Sequence, residues 1–270
     1  MTIDYRGEVA RYYDLHTDPY DDVSFYIRMM NNGTEHVLEL GCGTGRVLVP
    51  LVEYCEYIHG IDISEAMLAI CREKLQKENV TENRARVDAA DITDFDLSRK
   101  FDLIIAPYRV FQNLETDDKV NGFFKCIRKH LAPDGRCILN VFKPLRSPDQ
   151  MEKMWTSNDK EHLLSEHACD DGKVVVYEVR NKFRLDPLTI YPMQLIRRYH
   201  KEKLIEENQC EITMRCYYPD EFEKLITDHG FEVVSKWGGY DNKVYGRGNE
   251  LVVEFKDGIL KKNDLQGLKQ

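Results

Sequence analysis

The sequence predicts an α/β fold, in which a mainly parallel β-sheet is packed against helices. Two observations predict it. The apolar run at residues 37–40 has the composition of a buried parallel strand, and it ends abruptly at a glycine-rich turn. A second apolar run, residues 57–63, contains an acidic residue, Asp62, at the end of the predicted strand. A helical pattern of apolar residues follows each run. Alternating strands and helices of this kind form parallel sheets.

The first candidate site is the segment H-V-L-E-L-G-C-G-T-G-R at residues 36–46. Its alternating glycines provide a tight turn without Cβ atoms, so that a ligand can approach the backbone closely. A helix is predicted to begin between residues 43 and 46, with Pro50 near its limit, and its N-terminus would present free N–H groups. A dinucleotide-binding loop would have its third glycine at Arg46, so the spacing disfavours NAD.

This E-x-G-x-G-x-G spacing resembles motif I of the class I methyltransferases that depend on S-adenosylmethionine (SAM). The resemblance implies a Rossmann-like seven-stranded sheet, with SAM as cofactor and S-adenosylhomocysteine (SAH) as product. A carboxylate is also favourable near the sulfonium cation of SAM. Taken alone, the motif favours SAM, and the alternative is a glycine-rich turn that binds nothing. The residues of motif I assigned to the cofactor are Glu39, Gly41, Cys42, Gly43 and Gly45.

The acid that ends the second strand is the next candidate. Asp62 lies about 20 residues beyond the glycines, where one βαβ unit places a carboxylate on the ribose hydroxyls of a nucleotide. Ile63 follows it and is assigned to the cofactor as well. Ser64 is predicted to cap the next helix. The alternative for Asp62 is an ordinary acid at the end of a strand.

After the third strand, the sequence R-A-R-V-D-A-A-D-I contains two acids. The resemblance implies that one of them accepts a hydrogen bond from the adenine amino group, and that the next backbone N–H meets the ring. Asp91 followed by Ile92 matches the family pattern best, and Asp88 is the alternative if the strand ends early. Ala90 stands where many relatives have glycine, which leaves the register open.

The fourth strand, residues 103–106, leads into the loop A-P-Y-R. The resemblance implies that the Ala106 carbonyl accepts from the SAM amino group and that the following residues lie beside the reacting methyl. The loop lacks the polar first residue of the [N/D]-P-P-[Y/F] motif, which disfavours methylation of adenine or glutamine nitrogens. Arg109 in this loop and Tyr13 near the N-terminus are the predicted catalytic positioning groups.

Residues 143–217 depart from a minimal fold, because alternating β-rich segments stand where a helix is expected. They predict an antiparallel β lid of about three strands, inserted after the fifth strand, with turns at 170–172 and 206–208. The SAM-binding core then comprises residues 1–142 and 218–270, with residues 1–30 as an arm over the cofactor. The lid is the predicted region for substrate and for a homodimer contact.

Composition narrows the function classes. The 270 residues are 42% hydrophobic and 31% charged, an ordinary composition with enough apolar mass for a core. There are 38 Lys and Arg against 47 Asp and Glu, a net charge of −9, so a nucleic acid is not the expected partner. The sequence has no membrane-length apolar run and no signal peptide, so a cytoplasmic location is expected. The eight cysteines lack metal-ligand spacing, so no metal site is predicted.

The favoured function is transfer of the SAM methyl group to a nitrogen or oxygen atom of a small molecule by in-line displacement. The layout of arm and lid is similar to that of the aminosugar N,N-dimethyltransferases of antibiotic biosynthesis. One alternative is a methyltransferase of RNA or protein, whose sign would be a continuous basic groove. A second is a SAM-binding subunit without turnover, whose sign would be an apolar lid surface. The local basic cluster, Arg197 and Arg198 with Lys201 and Lys203, lies in a strand that also carries acids.

Overall fold

The computed structural model describes residues 7, 9–16, 22–30, 36–156, 159–241 and 243–258. The elements of the first half are α1 (Tyr13–His16), α2 (Asp22–Met29), β1 (His36–Leu40), α3 (Leu48–Leu51), β2 (Tyr57–Asp62), α4 (Glu65–Lys77), β3 (Ala85–Ala89), β4 (Phe101–Ala106), α5 (Asp117–His130) and β5 (Leu131–Phe142). Short 3₁₀ turns cover Ala10–Tyr12, Val52–Tyr54 and Val110–Asn113.

The second half contains a segment between β5 and the last helix, called here the insert (residues 143–217). Its elements are α6 (Pro148–Thr156), β6 (His162–Cys169), β7 (Gly172–Val179), β8 (Phe183–Arg184), β9 (Thr189–Ile190), β10 (Met193–His200), β11 (Lys203–Glu211) and β12 (Met214–Arg215). The chain then forms α7 (Pro219–Asp228), β13 (Phe231–Trp237) and β14 (Glu250–Asp257).

The central sheet has seven strands in the order β13-β14-β5-β4-β1-β2-β3. Strands β1 to β5 run parallel, while β14 pairs antiparallel with β5 on one side and with β13 on the other. Successive side chains of a strand point to opposite faces. Accordingly, Val37 and Leu38 are both fully buried but belong to two different apolar clusters, one on each face. The sheet is therefore a buried middle layer, and the predicted fold class is confirmed.

The helix after the glycines is shorter than predicted and begins later. It starts at Leu48, not between residues 43 and 46, and it gives way to a 3₁₀ turn after Leu51. The reason is the backbone of the glycine turn: Gly43 and Gly45 have φ angles of +53° and +76°. These left-handed values cannot belong to a right-handed helix, so the helix forms only after the turn is complete.

The insert forms an antiparallel sheet of four strands in the order β11-β10-β7-β6, with a small three-stranded sheet, β12-β9-β8, beside it. The turn predicted at 170–172 joins β6 to β7. The turn predicted at 206–208 is wrong, because these residues lie inside β11. The chain turns instead at Lys201 and Glu202, which both have left-handed backbones, with φ angles of 45° and 63°. Helix α6 was not predicted.

Candidate cofactor and active site

Three adjacent strands bring the candidate site together. Strand β1 lies between β4 and β2, and all three are parallel, so their carboxyl ends meet at one edge of the sheet. In open α/β sheets this edge, where the order of the strands reverses, is where ligands bind. The turn after β1, residues 41–46, is called here the glycine loop.

The glycine loop is anchored by its backbone and shaped by its missing Cβ atoms. The N–H groups of Gly41 and Cys42 donate to the carbonyl oxygen of Ile61, at 2.8 and 3.0 Å. A Cβ atom on Gly41 would collide with the side chain of Val110, which packs directly over it. A Cβ atom on Gly43, in contrast, would have no heavy atom within 4 Å. The loop is thus tightly packed on the protein side and open at Gly43.

The carboxylate of Asp62 lies directly beside this opening. Its Oδ2 accepts from the N–H of Gly43 at 3.0 Å, and its Oδ1 accepts from the N–H of Ser64 at 2.8 Å. Ser64 caps α4 as predicted, since its Oγ accepts from the N–H of Met67. Both oxygens of this carboxylate therefore accept from backbone N–H groups, one of which belongs to the glycine loop. Ile63 is 57% exposed immediately next to this carboxylate.

Glu39 is a buried acid whose hydrogen bonding is incomplete. It is 2% exposed, and its Oε2 has no hydrogen-bond partner among the residues that the structure describes. Burial raises the pKa of the Glu39 carboxyl well above its usual range. A buried acceptor without a donor costs about 1–3 kcal/mol, so the protein maintains this group at the end of β1 at an energetic cost. A cationic or N–H-bearing ligand would remove that cost.

Arg46 closes the glycine loop and is held from the N-terminal side. Its two terminal nitrogens donate to the two oxygens of Asp22 at 2.8 and 2.6 Å, and Asp22 is completely buried. The guanidinium carbon also lies 5.1 Å from the ring centroid of Tyr108, which belongs to the loop after β4. One guanidinium therefore joins α2, the glycine loop and the loop after β4.

The loop after β4 is strained and is held in place by buried polar groups. Tyr108 and Arg109 both have left-handed backbones, with φ angles of 52° and 67°, which cost about 1–3 kcal/mol each in residues other than glycine. The N–H of Arg109 donates to Asn140 Oδ1 at 2.8 Å, and its guanidinium pairs with Glu250. Asn140 Nδ2 in turn donates to Glu250 Oε2 at 2.6 Å. Arg109 is thus directed toward a buried acid, and this network shapes the loop.

Residues 9–16 lie against the glycine loop, where the arm was predicted. The hydroxyl of Thr44 donates to Asp14 Oδ1 at 2.7 Å, and Lys74 of α4 pairs with the same carboxylate at 2.7 Å. The rings of Tyr13 and Tyr108 meet edge to face, with centroids 6.4 Å apart. Burial raises the pKa of Tyr13, so its phenol stays protonated near neutral pH.

The two candidate acids in and after β3, Asp88 and Asp91, have different surroundings. Asp88 lies within β3, where it binds His59 at 2.9 Å and Arg86 at 2.8 Å. Asp91 lies beyond the strand and is exposed, and its Oδ1 accepts from the N–H and hydroxyl of Thr93 at 2.9 and 2.7 Å. Ile92, the next residue, is 9% exposed. Asp91 is therefore the acid at the edge of the sheet that carries the glycine loop.

Sequence reasoning missed three residues that organise the site: Asp22, Asn140 and Glu250. Asn140 lies within the apolar run C-I-L-N-V-F and Glu250 directly precedes the run L-V-V, and those contrasts were the available signal. Among the described residues, no group of three or more His, Cys, Asp or Glu side chains could hold a metal ion. Nor is any helix within those ranges long and apolar enough to cross a membrane.

Residues 37–135, which include the glycine loop, Asp62 and Asp91, match the family model described as "Methyltransferase domain". The match covers 99 of the 270 residues. A relative from Geobacillus sp. (strain WCH70), which has a provisional methyltransferase name, is 23% identical over 254 residues, or 90% of this chain and 95% of the relative. The dTDP-3-amino-3,6-dideoxy-alpha-D-glucopyranose N,N-dimethyltransferase of Streptomyces fradiae is 26% identical over 145 residues, about half of each chain.

The fold of the methyltransferase is shared with solved structures. A SAM-dependent methyltransferase from Clostridium acetobutylicum ATCC 824 superposes with a TM-score of 0.72 at 20% identity, over 93% of this chain and 96% of that one. The family match confirms methyltransferase as the predicted enzyme class, and the shared fold confirms the predicted fold class. The predicted similarity to aminosugar N,N-dimethyltransferases is confirmed as a likeness.

Proposed function

We propose that this methyltransferase transfers the SAM methyl group to a nitrogen or oxygen atom of a small molecule. The observation that carries the proposal is the meeting of three features at one edge of the sheet. These are the incompletely bonded carboxylate of Glu39, the open backbone at Gly43 and the Asp62 carboxylate beside it. Together they suit a ligand that carries an ammonium group at one end and vicinal hydroxyls at the other.

The remaining predicted contacts can be assigned on the same basis. The Asp62 carboxylate would accept from the ribose hydroxyls, and Asp91 would accept from the adenine amino group. Ile63 and Ile92 would pack against the adenine ring. The carbonyl of Ala106, at the carboxyl end of β4, would accept from the amino group of the cofactor. When bound, SAM supplies a methyl group that is already activated by the positive charge on sulfur.

The acceptor side is formed by the loop after β4 and by the arm. Because the SAM methyl needs no further activation, these residues have to orient the acceptor and exclude water. Tyr13 and Tyr108 meet edge to face there, and Arg109 holds the loop through Glu250. Tyr13 keeps its proton, so it would act as a hydrogen-bond donor and not as a base. A base is needed only for an acceptor that is protonated at working pH, such as a hydroxyl.

A small acceptor is favoured over RNA or protein by the charges on the insert. The two arginines of the basic cluster considered for a polymer are neutralised, because Arg197 pairs with Glu161 and Glu207, and Arg198 pairs with Asp171. The relative from S. fradiae is named for an aminosugar acceptor, which supports the same class here. We further propose that the insert borders the acceptor pocket, contributes to a homodimer contact and belongs to a cytoplasmic protein.

The cofactor assignment is tested by calorimetric titration with SAM, SAH and NAD. We expect binding of SAM and SAH and none of NAD. Asp62→Ala and Asp91→Ala should each weaken SAH binding at least tenfold. Asp88→Ala is the matched control, since the Asp88 carboxylate is occupied by His59 and Arg86, and it should leave binding unchanged. Equal SAH affinity in the Asp62 variant would refute the site.

The acceptor class is tested by a screen of small amines and alcohols that measures SAH formation. Turnover with an amine or hydroxyl compound would establish the enzyme. Tight SAH binding without turnover on any of them, combined with turnover on RNA or protein, would overturn the small-molecule assignment. Tight binding with no turnover on any acceptor would favour the non-catalytic SAM-binding subunit.

A further inference from the structure

The arm, defined here as residues 9–16, lies between two parts of the chain that are far apart in the sequence. One side of it contacts the insert, and the other contacts the glycine loop and α4. Tyr12 and Asp14 mark the two sides. Residues two apart in a helical turn point in different directions, so one short helical segment can contact two neighbours at once.

The contact with the insert combines apolar packing with hydrogen bonds. Val9 and Tyr12 belong to an apolar cluster with Val174 and Val176 of β7, and Tyr12 is 7% exposed. The hydroxyl of Tyr12 donates to Oε2 of Glu206, in β11, at 2.9 Å. The other carboxylate oxygen of this residue accepts from Arg11 and Asn208. The Glu206 side chain therefore accepts from three donors, two of which come from the arm.

The contact with the core is made by the next residues of the same segment. Asp14 accepts from the Thr44 hydroxyl at 2.7 Å, and it pairs with Lys74 at 2.7 Å. Thr44 is completely buried and lies between Gly43 and Gly45 in the glycine loop. A displacement of the arm would thus remove the acceptor of the Thr44 hydroxyl in the middle of the loop.

We propose that Glu206 of the insert is a positioning residue for the cofactor, acting through Tyr12 and Asp14 on the glycine loop. The proposal rests on the proposed function, because it concerns the affinity of the SAM site. Glu206 orients Tyr12, the helical segment carries Asp14 with it, and Asp14 fixes Thr44. The docked arm thereby slows the release of SAM and SAH, and an acceptor that contacts the insert would act on the same element.

The test measures SAH dissociation from the full-length protein by stopped-flow displacement with excess SAM. Tyr12→Phe removes one hydroxyl and keeps the ring in its cluster. Glu206→Ala removes the acceptor itself. Each change should accelerate SAH release about 2-fold to 10-fold, the effect of one or two hydrogen bonds. The double variant should be no faster than Glu206→Ala, because both changes remove the same contact.

Two further variants separate positioning from a general loss of stability. Glu206→Gln keeps an oxygen that can accept from Tyr12, and it should restore slow release. Glu211→Ala removes an acid from the same strand, where it pairs with Lys182 and not with the arm, and it should leave release unchanged. Thermal unfolding of every variant establishes whether it is folded. If Glu206→Ala does not fold, the nearly isosteric Tyr12→Phe variant provides the test on its own.

The outcomes are distinct. Faster release in Tyr12→Phe and Glu206→Ala, with rescue by Glu206→Gln, supports the proposal. Release at the wild-type rate in these two variants, equal acceleration by Glu211→Ala or failure of the rescue overturns it. If the unaltered protein binds neither SAM nor SAH, the proposed function fails and this proposal fails with it. If the unaltered protein binds SAH but the variants release it normally, the positioning role alone is refuted.

Discussion

Two glycines of one loop should respond differently to the same added methyl group. Gly43 and Gly45 both have left-handed backbones, with φ angles of +53° and +76°. A Cβ atom on Gly45 would lie 2.5 Å from the Cys71 sulfur and 3.0 Å from a methyl carbon of Val49. A Cβ atom on Gly43 would have no heavy atom within 4 Å. The protein fills the space beside Gly45 and leaves the space beside Gly43 open.

The magnitudes follow from this geometry. A left-handed backbone costs a residue other than glycine about 1–2 kcal/mol, and the lower entropy of the unfolded alanine chain offsets about 0.4–1 kcal/mol of it. Overpacking adds about 1–3 kcal/mol at Gly45 only. We therefore expect Gly43→Ala to lower the free energy of unfolding by about 1 kcal/mol, and Gly45→Ala to lower it by about 2–4 kcal/mol. Gly43→Ala should nevertheless weaken SAH binding at least tenfold.

Urea unfolding followed by circular dichroism measures the stability, and calorimetric titration with SAH measures the binding. Adding Cys71→Ala removes the sulfur atom that Gly45→Ala overlaps, so the double variant should recover part of the stability lost at Gly45. The same second change should recover nothing in the Gly43→Ala background. The reasoning is refuted if the two alanine variants are equally destabilised, or if Gly43→Ala binds SAH as tightly as the unaltered protein.

Three further outcomes are expected. Burial lowers the pKa of His130 below 6.5, and its Nε2 accepts from the N–H of Leu97. The folded state therefore binds fewer protons than the unfolded state. The stabilisation that the neutral His130 side chain contributes is present above pH 6.5, and it is lost as the pH falls toward the folded pKa. His130→Gln should flatten the pH dependence of the unfolding free energy between pH 7.5 and 5.5. An unchanged slope would exclude His130 as the source of this pH dependence. Arg109→Ala, which breaks the pair with Glu250, should lower turnover more than SAM affinity, and unchanged turnover would move the acceptor site away from this loop. Cys42→Ser should change SAH affinity less than twofold, because the backbone N–H of this residue makes the anchoring bond; a larger loss in calorimetry would give the thiol a direct role.

The first half of the fold could be predicted because its signals are local. A buried strand, a glycine turn and a strand ending in an acid follow one another within one βαβ unit, and Ser64 caps its helix within four residues. The insert was harder, since alternation alone does not define where an antiparallel strand turns. Glu206 lies in a polar run that is typical of a turn, but it belongs to β11, where Tyr12 donates to its carboxylate. That contact joins residues 194 positions apart.

The candidate site shows the same division. Glu39, Asp62 and the glycines are close together because the sheet topology requires it, and their spacing was visible in the sequence. The surroundings of Arg109 were not visible, because its partner Glu250 lies 141 positions away. Sequence reasoning identified the residue but not that a buried acid already binds its guanidinium. Long-range pairs between polar residues leave no periodic pattern, so they are found only once the strands are placed.

The position of β14 has a consequence for how the protein is made. Strand β5 is paired with β4 on one edge, and its other edge pairs with residues 250–255 of β14. Asn140 and Glu250, which meet across this edge, are 110 positions apart. At about 5–20 residues per second, a ribosome needs roughly 5–20 s to synthesise that interval. Throughout this time the backbone N–H and C=O groups along that edge of β5 lack their partners in β14 and can pair with other chains.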